Sequence, residues 1–269
     1  MKNNVGIIGY GHYVPDLLIT NFEIAKRFEK TEKWIEERTG IKERRKAEKG
    51  ICTSDLAIKA AKAAIISANI TPEEIDLIIV ATTTPDMLFP STACLVQNGI
   101  GAYNAAAFDV SAACTGFIYG MDIAISYVSS GQHKNVLVVG ADTYSRIIND
   151  NDINTSILFG DGAGAVVIGK VPTGFGILGS LKGSDGSGAD LLKVPAGGSK
   201  QPLTHELLDN RMNTIVMNGR EVFQFAVKIF EKMINEVTEK AGITLEDVNL
   251  IIPHQANKRI LHSVSERLK

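Results

Sequence analysis

The chain has 269 residues, 45% of them hydrophobic and 22% charged, a composition that excludes an intrinsically disordered protein and supplies enough apolar surface for a large core. Lysine plus arginine totals 28 against 30 aspartate plus glutamate, so the net charge of -2 gives no general attraction to nucleic acid or to an anionic membrane. The longest apolar runs, such as 77–81 and 136–139, fall far short of the roughly 18 residues that a bilayer crossing needs, and no secretory signal opens the sequence, so a cytoplasmic location is expected.

In chain order, residues 5–9 read as a short apolar strand, followed by an amphipathic helix over 54–69, an acidic turn and a buried strand over 77–81. A helix over 91–99, a strand over 107–110, a helix from Cys114 to about Ser130, and strands over 136–139 and 164–168 come next. Short apolar strands alternating with helices predict a parallel sheet covered on both faces. A further strand is expected over 175–179, a long amphipathic helix over 219–241 with apolar residues at helical spacing, and a buried strand over 248–253.

The sequence repeats itself. Residues 70–80 (ITPEEIDLIIV) and 243–253 (ITLEDVNLIIP) agree at most positions, each after a helix, and 5–9 and 175–179 match as the opening strands. This predicts an α/β fold of two related halves, 1–170 and 171–269. After its matched strand the first copy continues for about 90 residues and the second for 16, so the second half is expected to be incomplete.

Three cysteines without C-x-x-C spacing argue against a disulfide framework and against a zinc site, and no metal is expected. Cys114 stands where an apolar strand passes through small residues into a helix, a position that lowers a thiol pKa and offers backbone N–H groups to an oxyanion. Cys52 and Cys94 lack that setting and read as small buried hydrophobes. His254 follows the strand expected over 248–253, at the strand end where α/β folds gather ligand and catalytic groups. The glycine-rich segment 160–165 leads into a strand instead of a helix, which removes a dinucleotide-binding reading, and no P-loop sequence is present.

With these residues in place, the sequence resembles the β-ketoacyl-acyl-carrier-protein synthase III family of condensing enzymes. The likeness runs through 34–41 (WIEERTGI), 89–94 (FPSTAC), 109–117 (DVSAACTGF), 159–164 (FGDGAG) and 253–257 (PHQAN). It implies a thiolase-like five-layered αβαβα fold with the second half incomplete, and a homodimer. It also implies decarboxylative condensation of a short acyl-CoA with malonyl-acyl-carrier protein, with no cofactor beyond the CoA thioester substrate. By resemblance Cys114 is the nucleophile and His254 stabilises the enolate. Trp34, Arg38, Asn257 and Gly219 hold CoA; Phe89, Tyr144, Phe159 and Ile215 shape the acyl pocket; and Lys258 and Arg259 meet the carrier protein. The family's catalytic Asn belongs to a segment about 30 residues beyond the His. Ile153 stands where the family has a second CoA-binding Arg, and Gln224 where it has a docking Lys. A same-fold acyltransferase without decarboxylation, or a non-catalytic subunit, is the alternative reading.

Overall fold

The computed structural model describes residues 4–268. Its strands are β1 (Val5–Tyr13), β2 (Leu17–Thr20), β3 (Glu43–Lys46), β4 (Leu77–Ala81), β5 (Ala106–Val110), β6 (Val136–Thr143), β7 (Asp161–Lys170), β8 (Leu192–Lys193) and β9 (Val216–Met217). Its helices are α1 (Asn21–Arg27), α2 (Glu32–Thr39), α3 (Thr53–Ala68), α4 (Thr92–Ile100), α5 (Gly116–Ser130), α6 (Ile153–Ser156), α7 (His205–Asp209), α8 (Gly219–Ala241) and α9 (Lys258–Arg267). Packing divides the chain into two units, Met1–Leu17 with Arg45–Thr143 and Asp161–Lys182, and Leu18–Arg44 with Tyr144–Gly160 and Gly183–Lys269. Both are discontinuous, so packing groups the residues differently from the sequence division at Lys170.

The first unit is built on one sheet in the order β1-β7-β6-β4-β5. β4 runs parallel to β5 and β6, whereas β7 is antiparallel to β6 and β1 antiparallel to β7. The sheet is therefore mixed and not wholly parallel as expected: after the segment 144–160, which packs in the second unit, the chain re-enters beside β6 as an antiparallel strand, and β1 pairs antiparallel with β7 at the sheet edge. All five residues of β4 are buried, and they alternate between faces. Ile78 and Val80 join Leu56, Ala60, Ala64 and Val96 on the side of α3 and α4, and Leu77 and Ile79 join Ala124 and Val128 on the side of α5. Burying each such aliphatic side chain contributes about 1.5–3 kcal/mol.

Alanines line the buried face of α3 because β1 approaches it closely. A side chain at Gly11 would lie 2.5 Å from the Ala64 nitrogen and 2.6 Å from the Ala60 carbonyl oxygen, so glycine is required where this strand meets this helix.

The second unit has two small apolar clusters. Ile24, Ala25, Ile35 and Ile157 pack with Trp34 and Ile153 flanking them, and Val227 of α8 packs with Ile260 and Val264 of α9. The strands expected over 175–179 and 248–253 do not form. Ile177 instead donates one backbone hydrogen bond to Val5 at 2.9 Å. Leu250 and Ile252 are 73% and 79% exposed, in contrast to their buried repeat-mates in β4. An apolar run becomes a strand only where neighbours complete its hydrogen bonds, and β5 and β6 do this for β4. No helix among the described residues is long and apolar enough to cross a membrane.

Candidate active site

Cys114 lies beyond the C-terminal end of β5, in a 3-10 turn over Ala113–Thr115 that precedes α5. The expected helix starts two residues late, so the cysteine sits just before the helix instead of within its first turn. Ala113 holds φ at +45°, a left-handed conformation unusual for a residue with a side chain, and it turns the chain so that Cys114 is exposed. Gly116 lets α5 begin against β4: a side chain there would meet the Ala81 Cβ at 3.1 Å. Phe117 covers Gly140 of β6 in the same way, at 3.3 Å from the Cβ that Gly140 lacks.

The thiol departs from expectation. Although part of its surface is open to water, enough protein surrounds the sulfur that burial raises its pKa above the ordinary thiol range, and the Asp142 carboxylate raises it further. A hydrogen bond from its own backbone N–H opposes both but is outweighed. Cys52 and Cys94 also differ from the sequence reading. Both are exposed, Cys52 as the residue capping α3 and Cys94 in the first turn of α4, so a helix N-terminus does not by itself single out Cys114.

Asp142 and its partners escape a motif search. Its Oδ1 accepts hydrogen bonds from Thr82 Oγ1 at 3.2 Å, Thr83 N at 2.8 Å, Thr83 Oγ1 at 3.0 Å and Thr84 Oγ1 at 3.0 Å. Thr84 Oγ1 in turn accepts from Thr143 N at 2.8 Å, and Thr53 Oγ1 at the start of α3 donates to the Thr84 carbonyl at 2.6 Å. Burial raises the Asp142 pKa and the threonine donors lower it, with burial prevailing. The signal in the sequence is three consecutive threonines ending one buried strand and an aspartate near the end of another.

In the second unit, Trp34 and Arg38 meet on α2, with the guanidinium 3.9 Å from the ring centroid. Lys30 approaches the same ring at 5.7 Å. Thr31 caps the helix, accepting from Trp34 N at 3.1 Å, and Gly40 ends it in the left-handed conformation. Ile153 packs in the apolar cluster beside Trp34, where a guanidinium would have to leave it. Tyr144 and Phe159 stack with centroids 5.0 Å apart and planes 11° from parallel. Ile215 is buried and donates its backbone N–H to the Ile147 carbonyl at 2.8 Å. Phe89, in the first unit, is 83% exposed beside Leu88 at 91%.

His254 lies on the irregular segment before α9, and the protein around it holds its pKa below the ordinary imidazole value, which favours the neutral ring. Asn257 caps α9, its Oδ1 accepting from Arg259 N at 2.8 Å. Lys258 opens that helix with its stem packed on Gly40, so α2 and α9 are in contact. Gly219 begins α8 behind Asn218, whose Nδ2 donates to Glu221 Oε1 at 2.8 Å. Arg44, which the sequence reading passed over, is buried. It donates from Nε to the Ile157 carbonyl at 3.1 Å, from Nη2 to the same oxygen and from Nη1 to Asn21 Oδ1, and burial lowers its pKa to about 10. Among the described residues, no group of three or more His, Cys, Asp or Glu could hold a metal ion.

Residues 108–186 match the family model for 3-oxoacyl-[acyl-carrier-protein] synthase III. The chain is 54% identical over 268 residues to the β-ketoacyl-[acyl-carrier-protein] synthase III of Caldanaerobacter subterraneus subsp. tengcongensis, covering 100% of this chain and 81% of the relative. It is 51% identical over 269 residues to that of Clostridioides difficile, covering 100% and 82%. The crystal structure of 3-oxoacyl-[acyl-carrier-protein] synthase III from Aquifex aeolicus VF5 superposes with a TM-score of 0.89 at 46% identity, over 98% of this chain and 80% of that one. Fold and sequence thus define a thiolase-fold condensing enzyme, an acyltransferase of fatty-acid biosynthesis. The chain belongs to the β-ketoacyl-[acyl-carrier-protein] synthase III family, which initiates fatty-acid synthesis by condensing an acyl-CoA with malonyl-acyl-carrier protein.

Proposed function

We propose that this chain performs that condensation through Cys114, with a short acyl-CoA as donor. The cysteine sulfur attacks the thioester carbonyl, the carbonyl carbon parts from the CoA sulfur, and CoA leaves with the cysteine's proton. Malonyl-acyl-carrier protein then loses carbon dioxide, and its carbanion attacks the acyl carbon, breaking the bond to the cysteine sulfur to give 3-oxoacyl-carrier protein and a cysteine thiolate that takes a proton from water. The neutral imidazole of His254 donates a hydrogen bond to the enolate oxygen, a role closed to a group with no N–H. Trp34 and Arg38, already paired on α2, offer an aromatic face and a fixed guanidinium to CoA, with Asn257 and Gly219 as further contacts.

Tyr144, Phe159 and Ile215 line the acyl pocket, and Phe89 serves the pocket of the second subunit in a homodimer. Lys258 and Arg259 meet the acidic carrier protein. The reaction needs no cofactor or metal, the two related halves divide at Lys170, and the enzyme works in the cytoplasm.

The observation that carries this reading is Cys114 itself, exposed in a turn with a left-handed residue between the end of edge strand β5 and the start of α5. Incubation with acetyl-CoA followed by intact-mass measurement should show one acyl adduct, absent in Cys114→Ala; an adduct retained in that variant refutes the assignment. Carbon dioxide release from malonyl-carrier protein distinguishes condensation from simple acyl transfer, and sedimentation at micromolar concentration tests the dimer.

A further inference from the structure

The turn between α1 and α2 fixes where Lys30 stands. Glu29 takes a left-handed conformation with φ at 53°, and the backbone N–H of Lys30 donates to the Ala25 carbonyl at 3.1 Å, so the chain reverses within a few residues. Thr31 then caps α2, and Trp34 and Arg38 follow at four-residue spacing on one side of the helix. Trp34 is seated against the cluster of Ile24, Ala25, Ile35 and Ile157, and its half-buried ring carries two cations. The Arg38 guanidinium lies 3.9 Å from the ring centroid and the Lys30 ammonium 5.7 Å from it.

The neighbouring charges are taken up in pairs. Lys33 meets Glu37 at 3.7 Å, Lys42 meets Glu36 at 3.8 Å and Arg27 meets Asp150 at 3.1 Å. Lys30 and Arg38 have no carboxylate partner among the described residues, and Glu29 and Glu32, the other acids of this stretch, pair with neither. Ile153, which also packs in the cluster beside the ring, supplies no charge. Because both cations touch one ring, they stand within about a Debye length of each other, roughly 10 Å at 0.1 M salt. They therefore repel each other, and their attraction for an anion adds.

We propose that Lys30 is a phosphate-binding residue of the nucleotide site at Trp34, acting with Arg38 on the phosphates of the CoA donor. This rests on the reading of Trp34 and Arg38 as CoA contacts. An aromatic surface with two unpaired cations suits a ligand that is both π-faced and anionic, and the nucleotide part of CoA is both. Lys30 brings a point charge on a flexible stem, which reaches a phosphate oxygen that the planar fork of Arg38 leaves free. The pantetheine arm carries no such charge, so Lys30 selects a CoA thioester over a donor that presents pantetheine alone.

The test is calorimetric titration of the full chain with CoA, repeated in Lys30→Gln, Lys30→Arg and Arg38→Gln. Lys62→Gln, an exposed lysine of α3, controls for the loss of one unit of net charge. Lys30→Gln should weaken binding about tenfold, the loss of one charge-assisted contact, and should flatten the dependence of affinity on salt. Lys30→Arg, which keeps the charge, should retain most of the affinity. An unchanged affinity in Lys30→Gln, or an equal loss in Lys62→Gln, overturns the proposal. The second readout is the rate of Cys114 acylation by acetyl-CoA relative to acetyl-pantetheine, both below saturation. That ratio should fall about tenfold in Lys30→Gln; an unchanged ratio overturns the proposal, because a general disturbance of the fold slows both donors alike. Titration with 3′-dephospho-CoA locates the contact: a loss in Lys30→Gln that disappears with this ligand assigns Lys30 to the 3′-phosphate, and one that persists assigns it to the diphosphate. Arg38→Gln separates the two readings. If it binds CoA as the unaltered chain does, the nucleotide site is not at Trp34 and the proposal falls with it, whereas a loss in Arg38→Gln alone leaves that site standing and refutes the part given to Lys30.

Discussion

Gly40 ends α2 with φ at 74°, and its missing side chain points at α9: a Cβ built there would lie 2.5 Å from the Lys258 Cβ and 2.9 Å from its Cδ. Gly40→Ala therefore combines two penalties. Holding alanine in the left-handed conformation costs about 1–2 kcal/mol. Carbon atoms at rest stand about 3.5–4.0 Å apart, so α9 must retreat by about 1 Å or more, an overpacking that typically costs about 1–3 kcal/mol. The sum is about 2–5 kcal/mol. Urea unfolding followed by Trp34 emission reads it directly, since Trp34 is the sole tryptophan and lies on α2. Lys258→Gly removes the opposing Cβ, so in a double-mutant cycle it should recover the overpacking part and leave the conformational part, a coupling of about 1 kcal/mol or more. A loss below about 0.5 kcal/mol in Gly40→Ala would refute both contributions, and zero coupling would refute the contact with Lys258.

Ile153→Arg should tighten CoA binding about tenfold by calorimetry, because it supplies a charge-assisted phosphate contact, at the cost of apolar packing beside Trp34; unchanged affinity would argue against CoA lying there. Arg44→Met leaves the Ile157 carbonyl and Asn21 Oδ1 without their donor and should destabilise by about 2–4 kcal/mol in thermal or urea unfolding, with Arg44→Lys recovering only part of it because an ammonium lacks the planar fork. His254 is held below its ordinary pKa by burial, so the unfolded chain binds its proton more readily than the folded one. Its contribution is fully present above the unfolded value, about 6.5, and is lost as pH falls from there through the lower folded value. His254→Asn should flatten the fall in stability between about pH 7.5 and 5, and an identical pH profile would refute the effect of burial on this ring.

Residue order alone is enough to recognise most of the first unit's elements and the family. Helical periodicity located α3, α4, α5 and α8 to within a residue or two, since local apolar spacing sets which face a helix can bury. The run at 77–81 became β4, and the spacing of small residues around Cys114 marked a strand-to-helix turn. Strand direction, by contrast, depends on which neighbour supplies the hydrogen bonds. Apolar runs read alike whether paired parallel or antiparallel, so the reversal at β7 was not legible. Residues 250–252 (LII) repeat 77–79 (LII), yet they stay exposed without a ladder, because flanking strands decide an apolar segment's fate. The thiol's pKa also belongs to the tertiary structure. A helix N-terminus at Cys114 could be expected from local sequence, but burial by distant residues and the charge of Asp142, 28 positions along the chain, reverse the direction of the effect, because desolvation and Coulomb interactions act through space and carry no signature in residue order.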